Sequence, residues 1–184
     1  MIKNFIFLGA PGVGKGTIAS LVSGEKGLVH ISTGEIFRKE IREQTDLGKQ
    51  VTSILDSGKY VPDNITNAIV KKSIETKEAK TKGFILDGYP RTIVQADFLN
   101  SLGINATAVL LDASDETILS RLSGRNSGRA DDNPEVIKTR LKVYNENTAP
   151  LIDYYKEKKL LVTINVEGTI ESNFKKVKEK LFND

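Results

Sequence analysis

The sequence predicts an α/β fold, a three-layer αβα arrangement around a five-stranded parallel sheet. Three observations carry that expectation. Strand and helix patterns alternate along the chain, the order that a parallel sheet with crossover helices requires. Thr107–Asp112 (TAVLLD) is an almost unbroken apolar run, as expected of a strand covered on both faces. A glycine-rich segment, Gly9 to Gly16, joins the first strand directly to the first helix.

Taken in order, Ile2–Leu8 is a β-branched and aromatic run and forms the first strand, and Lys15–Val22 has helical apolar spacing. Leu28–Ser32 is the second strand. Helices follow over Thr33–Glu43, Leu47–Asp56 and Pro62–Thr76, with Gly58 suited to a helix end and Pro62 to a helix start. Phe84–Asp87 is the third strand, Thr92–Ser101 a helix, and Thr107–Asp112 the fourth strand. A helix over Ser114–Leu122 leads into a Gly-bearing loop at Ser123–Asn133. Pro134–Lys156 reads as one long helix, Leu160–Asn165 as the fifth strand and Thr169–Phe182 as the last helix. Two segments depart from simple alternation, the helical stretch at 32–61 and the Gly- and Arg-bearing loop at 124–133. Such insertions lie at the C-terminal edge of the strands when they serve a ligand.

The chain has 184 residues, which suits one domain. Its 39% hydrophobic and 28% charged residues can build a core and argue against a disordered chain. Cysteine is absent and His30 is the single histidine. Disulfides and thiolate metal sites are therefore excluded, and a histidine-built metal site or Ser-His triad is disfavoured. The uncharged stretch Leu99–Leu111 is too short to span a bilayer and contains Asn100, Gly103 and Asn105. The apolar N-terminus is broken by Gly9, Pro11, Gly12 and Gly14, so it does not read as an export signal. A cytoplasmic location is the expectation. A formal charge of +3 does not point to nucleic acid.

The segment Gly9-Ala10-Pro11-Gly12-Val13-Gly14-Lys15-Gly16-Thr17 has the G-x-x-x-x-G-K core of a phosphate loop, between a strand and a helix. Glycines let successive backbone N–H groups turn toward one anion, and the helix N-terminus adds positive potential. Lys15 supplies a mobile charge for terminal phosphates. Where the general motif has Ser or Thr after the lysine, this chain has Gly16, and the hydroxyl comes one later at Thr17. Magnesium is therefore expected to be met through Thr17, Asp87 and waters rather than by direct ligation at the position after Lys15. Asp87 ends the third strand beside the expected crevice, where it can orient metal-bound water or simply form the turn before Gly88.

Positive charge divides into 20 lysines and only 7 arginines. Arginine's planar fork holds phosphate oxygens bidentately, so its positions are informative. Arg140 lies at i+4 from Val136 and i+3 from Ile137, within the apolar stripe completed by Leu141 and Tyr144. An inward guanidinium needs an anion partner, which a phosphate or a structural carboxylate would satisfy. Asp131 and Asp132 can pair with nearby arginines or cap the helix that begins near Pro134. His30, within a strand, reads as structural, and the Lys175–Lys180 run as a solvated helix face.

Several segments together resemble the adenylate kinases of the nucleoside monophosphate kinase family. They are the phosphate loop, His30-Ile31-Ser32-Thr33-Gly34-Glu35 with Arg38, Lys59-Tyr60-Val61-Pro62, and Asp87-Gly88-Tyr89-Pro90-Arg91 with Gln95. Arg121, Arg125, Ser127-Gly128-Arg129 and Asp131-Asp132, then Arg140 and Asn165-Val166-Glu167-Gly168-Thr169, complete a resemblance that covers the whole chain. Glu35 stands where the family usually has Asp. The resemblance implies one phosphate-loop NTPase-type domain, 1–184, with a core of 1–31, 62–123 and 134–184. It implies a helical monophosphate-binding insert at 32–61 and a short lid at 124–133 that, without cysteine, holds no structural zinc.

It further implies the reaction ATP + AMP ⇌ 2 ADP, with magnesium, by a monomer. ATP is expected on Gly12, Val13, Gly14, Lys15, Gly16, Thr17, Arg121, Arg125 and Gly168. AMP is expected on Thr33, Arg38, Lys59, Tyr60, Val61, Gly88, Tyr89, Pro90, Arg91, Gln95, Arg129 and Arg140. Lys15, Asp87, Arg91, Arg121, Arg125, Arg129 and Arg140 are the expected catalytic set. Six of the seven arginines fall in these matched positions, with Arg42 outside them. Thr33 and Gln95 are the residues by which adenylate kinases are similar to one another and differ from pyrimidine relatives. The alternatives are a UMP/CMP kinase or another small-molecule kinase built on the same loop. A non-catalytic nucleotide-binding module would not need two arginine sets.

Overall fold

The computed structural model describes residues 3–123 and 134–183. Five parallel strands, β1 (Phe5–Leu8), β2 (Val29–Ser32), β3 (Phe84–Asp87), β4 (Thr107–Asp112) and β5 (Leu161–Asn165), lie in the order β2-β3-β1-β4-β5. The period-two geometry of a strand divides its residues between two cores. Ile6, Leu8, Leu86, Ala108 and Leu110 face one side, where they meet Val70, Ile74, Ala96, Leu99, Leu151 and Tyr155. Phe5, Phe7, Ile85, Val109 and Leu111 face the other and pack on Ile18, Val22, Val177 and Leu181. Both faces are therefore covered, as the apolar run of β4 predicts.

The helices are α1 (Lys15–Lys26), α2 (Thr33–Arg42), α3 (Asp46–Asp56), α4 (Asp63–Ile74), α5 (Lys77–Lys82), α6 (Ile93–Ser101) and α7 (Asp115–Ser123). After residues 124–133, which lie outside the described part, come α8 (Pro134–Val143), a π-turn (Tyr144–Thr148), α9 (Pro150–Glu157) and α10 (Ile170–Phe182). Side-chain oxygens of Ser32, Thr45, Thr76, Thr92 and Thr169 each accept from the backbone N–H three residues on, fixing the starts of α2, α3, α5, α6 and α10.

The structure corrects the expected elements in four places. The first strand begins at Phe5, because Asn4 turns its side chain to the Phe84 N–H and the Asn105 carbonyl at the foot of the sheet. Helix α1 runs on past Val22 to Lys26 and stops at Gly27, whose φ of 70° ends it. Helix α5 was not expected, since Ala79 is its only buried residue and gives no apolar period. The long helix expected over Pro134–Lys156 is interrupted. Pro150 has no N–H to give to the preceding turn, and the backbone widens so that the Ala149 N–H reaches the Tyr144 carbonyl at 2.9 Å.

Two features of this frame place the site. Asp87 pairs in register with Phe7 on β1 and with Ser32 on β2, so the ends of three strands meet at one carboxylate. The chain then leaves β1 and β3 toward opposite faces of the sheet, opening a crevice at their C-terminal ends. Beyond β2, Phe37, Val51 and Val61 form a small core of their own with Ile41, Leu47, Ile54 and Ile65. Helices α2 and α3 approach closely there. A Cβ added to Gly48 would lie 2.2 Å from the Glu40 carbonyl oxygen, which is backbone and cannot yield.

Gly48→Ala should therefore push α3 off α2 and destabilise the protein by about 1–3 kcal/mol. Denaturant unfolding would read the effect as a lower midpoint. A midpoint equal to that of the unsubstituted chain would show that the helix contact is not tight.

Candidate active site

A cavity of about 650 Å³ opens at the C-terminal ends of β1, β2 and β3. Its floor is the phosphate loop, with Gly12, Gly14, Lys15, Gly16 and Thr17 on the wall. Gly14 precedes α1 with a φ of 102°, a left-handed conformation that glycine adopts without strain, and starts the helix with its N-terminus open to the cavity. The Lys15 ammonium folds back over the loop, donating to the carbonyls of Gly9 at 2.9 Å and Ala10 at 3.4 Å.

Asp87 is the electrostatic centre. Its Oδ2 lies 3.2 Å from Nε2 of His30. Burial pushes the Asp87 carboxyl up. The hydrogen bond from His30 and the positive charges of Lys15, His30 and Arg91 outweigh that, and the net direction is down from the ordinary 3.8. Gly16 faces the same oxygen, since a Cβ there would lie 3.5 Å from Oδ2. Among the described residues no cluster of three or more acidic or histidine side chains could cage a metal ion. Asp87 and the Thr17 hydroxyl nevertheless share the wall with the phosphate loop. One carboxylate and one hydroxyl beside a phosphate loop are hard oxygen donors of the kind magnesium takes while keeping several waters.

The same cavity is also lined by Thr33, Arg38, Lys59, Tyr60, Val61, Gly88, Pro90, Arg91, Gln95 and Arg140. Arg38 is held by Glu35, with Nη2–Oε1 at 2.6 Å. The Arg91 guanidinium lies 5.1 Å from the centre of the Tyr60 ring. Arg140 reaches the cavity from a half-buried stripe of α8, and its Cγ and the Val136 carbonyl crowd Gly58 at the end of α3. The Thr33 hydroxyl donates to the Gly88 carbonyl at 3.1 Å, leaving its oxygen as an acceptor.

Four expected binding residues fall elsewhere. Val13 is buried in the core with its N–H on the Ala10 carbonyl, and Tyr89 is fully buried with its hydroxyl on Asn67 Oδ1. Arg121 is off the cavity wall, where main-chain carbonyls hold it in place of phosphate. It donates to the carbonyls of Val13 at 2.9 Å and Val166 at 2.7 Å, and more weakly to that of Gly168. Gly168 contributes that carbonyl to Arg121 and Asn173 rather than to the cavity. Arg125, Arg129, Asp131 and Asp132 lie outside the described residues.

Sequence reasoning passed over Thr148 and Tyr144, which also line the cavity. The Thr148 hydroxyl donates to the Arg91 carbonyl at 2.7 Å, so it can only accept from the Tyr60 hydroxyl bonded to it. Pro150, in the middle of an otherwise helical pattern, was the available signal for the turn that carries them. His30, read as structural, stands on the cavity wall as the partner of Asp87.

A doubly wound parallel sheet with a phosphate loop at its switch point, in a cavity that further cations line, defines a nucleotide-binding phosphate-loop α/β protein. Comparison with known proteins narrows this. The family model "Adenylate kinase" matches residues 7–160. Proteins called adenylate kinase in Mycoplasma mobile and Oenococcus oeni are each 44% identical to the chain over the whole of both chains. One from Prochlorococcus marinus is 46% identical over 98% of each. The chain belongs to the adenylate kinase family.

The depressed Asp87 pKa has a stability consequence. Its contribution is fully present above the unfolded carboxyl's ordinary 3.8 and is lost as pH falls through that value toward the lower folded one. Between about pH 5 and pH 3 the unsubstituted protein should lose more stability than Asp87→Asn. Denaturant titrations at several pH values would check this, and parallel curves would remove Asp87 from the account.

Proposed function

We propose that this chain reversibly transfers the terminal phosphoryl group of ATP to AMP, giving two ADP, and so balances the adenine nucleotides. The observation that carries the reading is one cavity lined both by a phosphate loop and by Arg38, Arg91 and Arg140. In the transfer, the bond between the terminal phosphorus and its bridging oxygen breaks and an AMP phosphate oxygen forms the new one. ADP leaves on each side of the reaction centre. No protein nucleophile is needed, which suits a chain without cysteine whose one histidine is engaged by Asp87.

The work of the residues is alignment and charge neutralisation. The phosphate loop and Lys15 hold the donor's phosphates, and Arg38, Arg91 and Arg140 hold the acceptor's. Lys15, folded on the loop carbonyls, and Arg91, against the Tyr60 ring, can exchange those partners for phosphate oxygens. Thr33 and Gln95 offer the acceptor base polar groups suited to an adenine edge. Magnesium, when bound with the donor, supplies further neutralisation of phosphate charge. Asp87, held deprotonated, and Thr17 would hold its waters.

The same reading treats 32–61, with its own small core, as the monophosphate-binding insert on a core of 1–31, 62–123 and 134–184. It treats 124–133 as a short lid without structural zinc, and Arg125 and Arg129, with Arg121 once it exchanges its main-chain carbonyls, as completing the charge around the transferred group. No described helix is long and apolar enough to cross a membrane. A cytoplasmic monomer acting on free nucleotides, with no nucleic-acid partner, is the form in which we expect this activity.

Steady-state transfer from ATP to AMP, GMP, UMP and CMP, measured in parallel, tests the reading. AMP should be the preferred acceptor by a wide margin, and preference for UMP or CMP would replace it with a pyrimidine kinase. Arg91→Ala should lower kcat/KM for AMP by about 10²–10³-fold, the scale of one preorganised donor on developing charge. Near-normal turnover by that variant would remove Arg91 from the clamp.

A further inference from the structure

The Gln95 side chain is 1% exposed, yet it forms part of the cavity wall. Both ends of its amide are committed on the inner side. Oε1 accepts from the Arg91 backbone N–H at 2.7 Å, and Nε2 donates to Asp63 Oδ1 at 2.9 Å. A backbone N–H can only donate and a carboxylate can only accept, so this pair of partners admits one orientation of the amide. Reversing it would set donor against donor at Arg91 and acceptor against acceptor at Asp63. Asp63 is itself fixed, because the Thr92 hydroxyl donates to the same Oδ1 at 3.1 Å. The Tyr89 hydroxyl is bonded to the main-chain carbonyl of Gln95 and to Asn67 Oδ1, anchoring the helix turn behind the amide.

By the amide's inventory, one N–H and one oxygen lone pair remain for the cavity. A 6-amino purine presents a donor at N6 beside an acceptor at N1. A 6-oxo purine presents the reverse, an acceptor at O6 beside a donor at N1. An amide locked with its oxygen toward Arg91 and its nitrogen toward Asp63 can pair with one of these edges and must turn over to pair with the other.

We propose that Asp63 is a specificity-positioning residue: by holding Nε2 of Gln95 it locks the amide in the orientation that accepts a 6-amino purine monophosphate and rejects a 6-oxo one. The proposal rests on the reading of AMP as acceptor. Asp63 stands behind Gln95, touches the base only through it, and is not a catalytic residue.

The test is steady-state turnover with AMP and with inosine monophosphate as acceptors at saturating ATP, for the unsubstituted protein, Asp63→Ala and Asp63→Asn, with thermal melts of each. Asp63→Ala leaves the Arg91 N–H as the only constraint on the amide. It should lower the ratio of kcat/KM for AMP to that for inosine monophosphate by about tenfold, the value of one hydrogen bond to a charged group. Asp63→Asn can still accept from the same donors and should hold the ratio within about threefold. KM for ATP should not move in either. If Asp63→Ala does not fold, Asp63→Ser, at home in a first helical turn, removes the carboxylate equally and should show the same fall. An unchanged ratio in a folded Ala or Ser variant overturns the proposal, as does an equal loss with both acceptors, which is what a purely structural role would produce. Absence of AMP turnover in the unsubstituted protein overturns the parent reading and this inference with it. AMP turnover with an unmoved ratio overturns the inference alone.

Discussion

Burying a carboxylate at the end of a central strand is unfavourable unless hydrogen bonds and opposite charge offset the lost hydration. Asp87 meets that condition through its hydrogen bond with His30 on β2 and the nearby positive charges of Lys15, on the phosphate loop, and Arg91, in the turn after β3. The three come from different segments, and the His30 hydrogen bond ties the end of β3 to β2. The sheet supplies the registry, since Asp87 lies level with Phe7 and Ser32 on its two neighbours. A cavity lined by cations is thereby held together by an anion at its base. The cavity keeps a positive potential, because Asp87 and Glu35 together carry less charge than Lys15, Lys59, Arg38, Arg91 and Arg140.

The remaining cations of the cavity have partners of their own. Arg38 takes Glu35 on the same helix, and Arg91 takes the face of Tyr60. The Glu35 pair is half-exposed, and exposed ion pairs are worth a fraction of a kcal/mol to about 1 kcal/mol. A phosphate offering bidentate contacts competes well against such partners. Arg121 is different in kind. Its main-chain carbonyls come from the phosphate loop and from the β5–α10 connection, so it ties two loops together. Glu167 reinforces the same junction by accepting from Ser114 N–H and the Thr117 hydroxyl at the start of α7.

Much of this was legible in the residues, and the part that was not has a common cause. A phosphate loop has a local signature because one stretch of backbone makes the anion site, and Lys15, Asp87 and Arg91 follow strand ends whose positions apolar runs reveal. Arg140 could be placed by helical period alone. Tyr89 and Val13 stand in the same motifs as residues on the cavity wall, but their side chains pack into the cores. A motif names neighbours along the chain without saying which of them faces inward. Main-chain carbonyls have no residue type, so the partners of Arg121 left no mark in the sequence. Helix α5 shows the converse, since its Thr76 cap is a clear start signal while a single buried Ala79 gives no period to detect.

Pro150 links the least legible feature to the site. A regular helix through that position would leave the Glu146 carbonyl facing a residue with no N–H to return. The chain inserts an extra residue into the turn, and the Ala149 N–H reaches back five residues to Tyr144. A π-turn shifts every later side chain around the helix relative to the period before it. Here it faces Thr148 onto the Arg91 carbonyl, where the same hydroxyl accepts from Tyr60. Tyr60 stands at the end of the 32–61 segment and Arg91 at the turn after β3, so a single buried hydroxyl spans the two. The guanidinium of Arg91 lies against the Tyr60 ring, and its carbonyl bonds Thr148. Displacing any one of the three therefore moves a cation that lines the cavity. Local chemistry at one proline thus reaches the turn that carries Arg91, nearly sixty residues earlier in the chain.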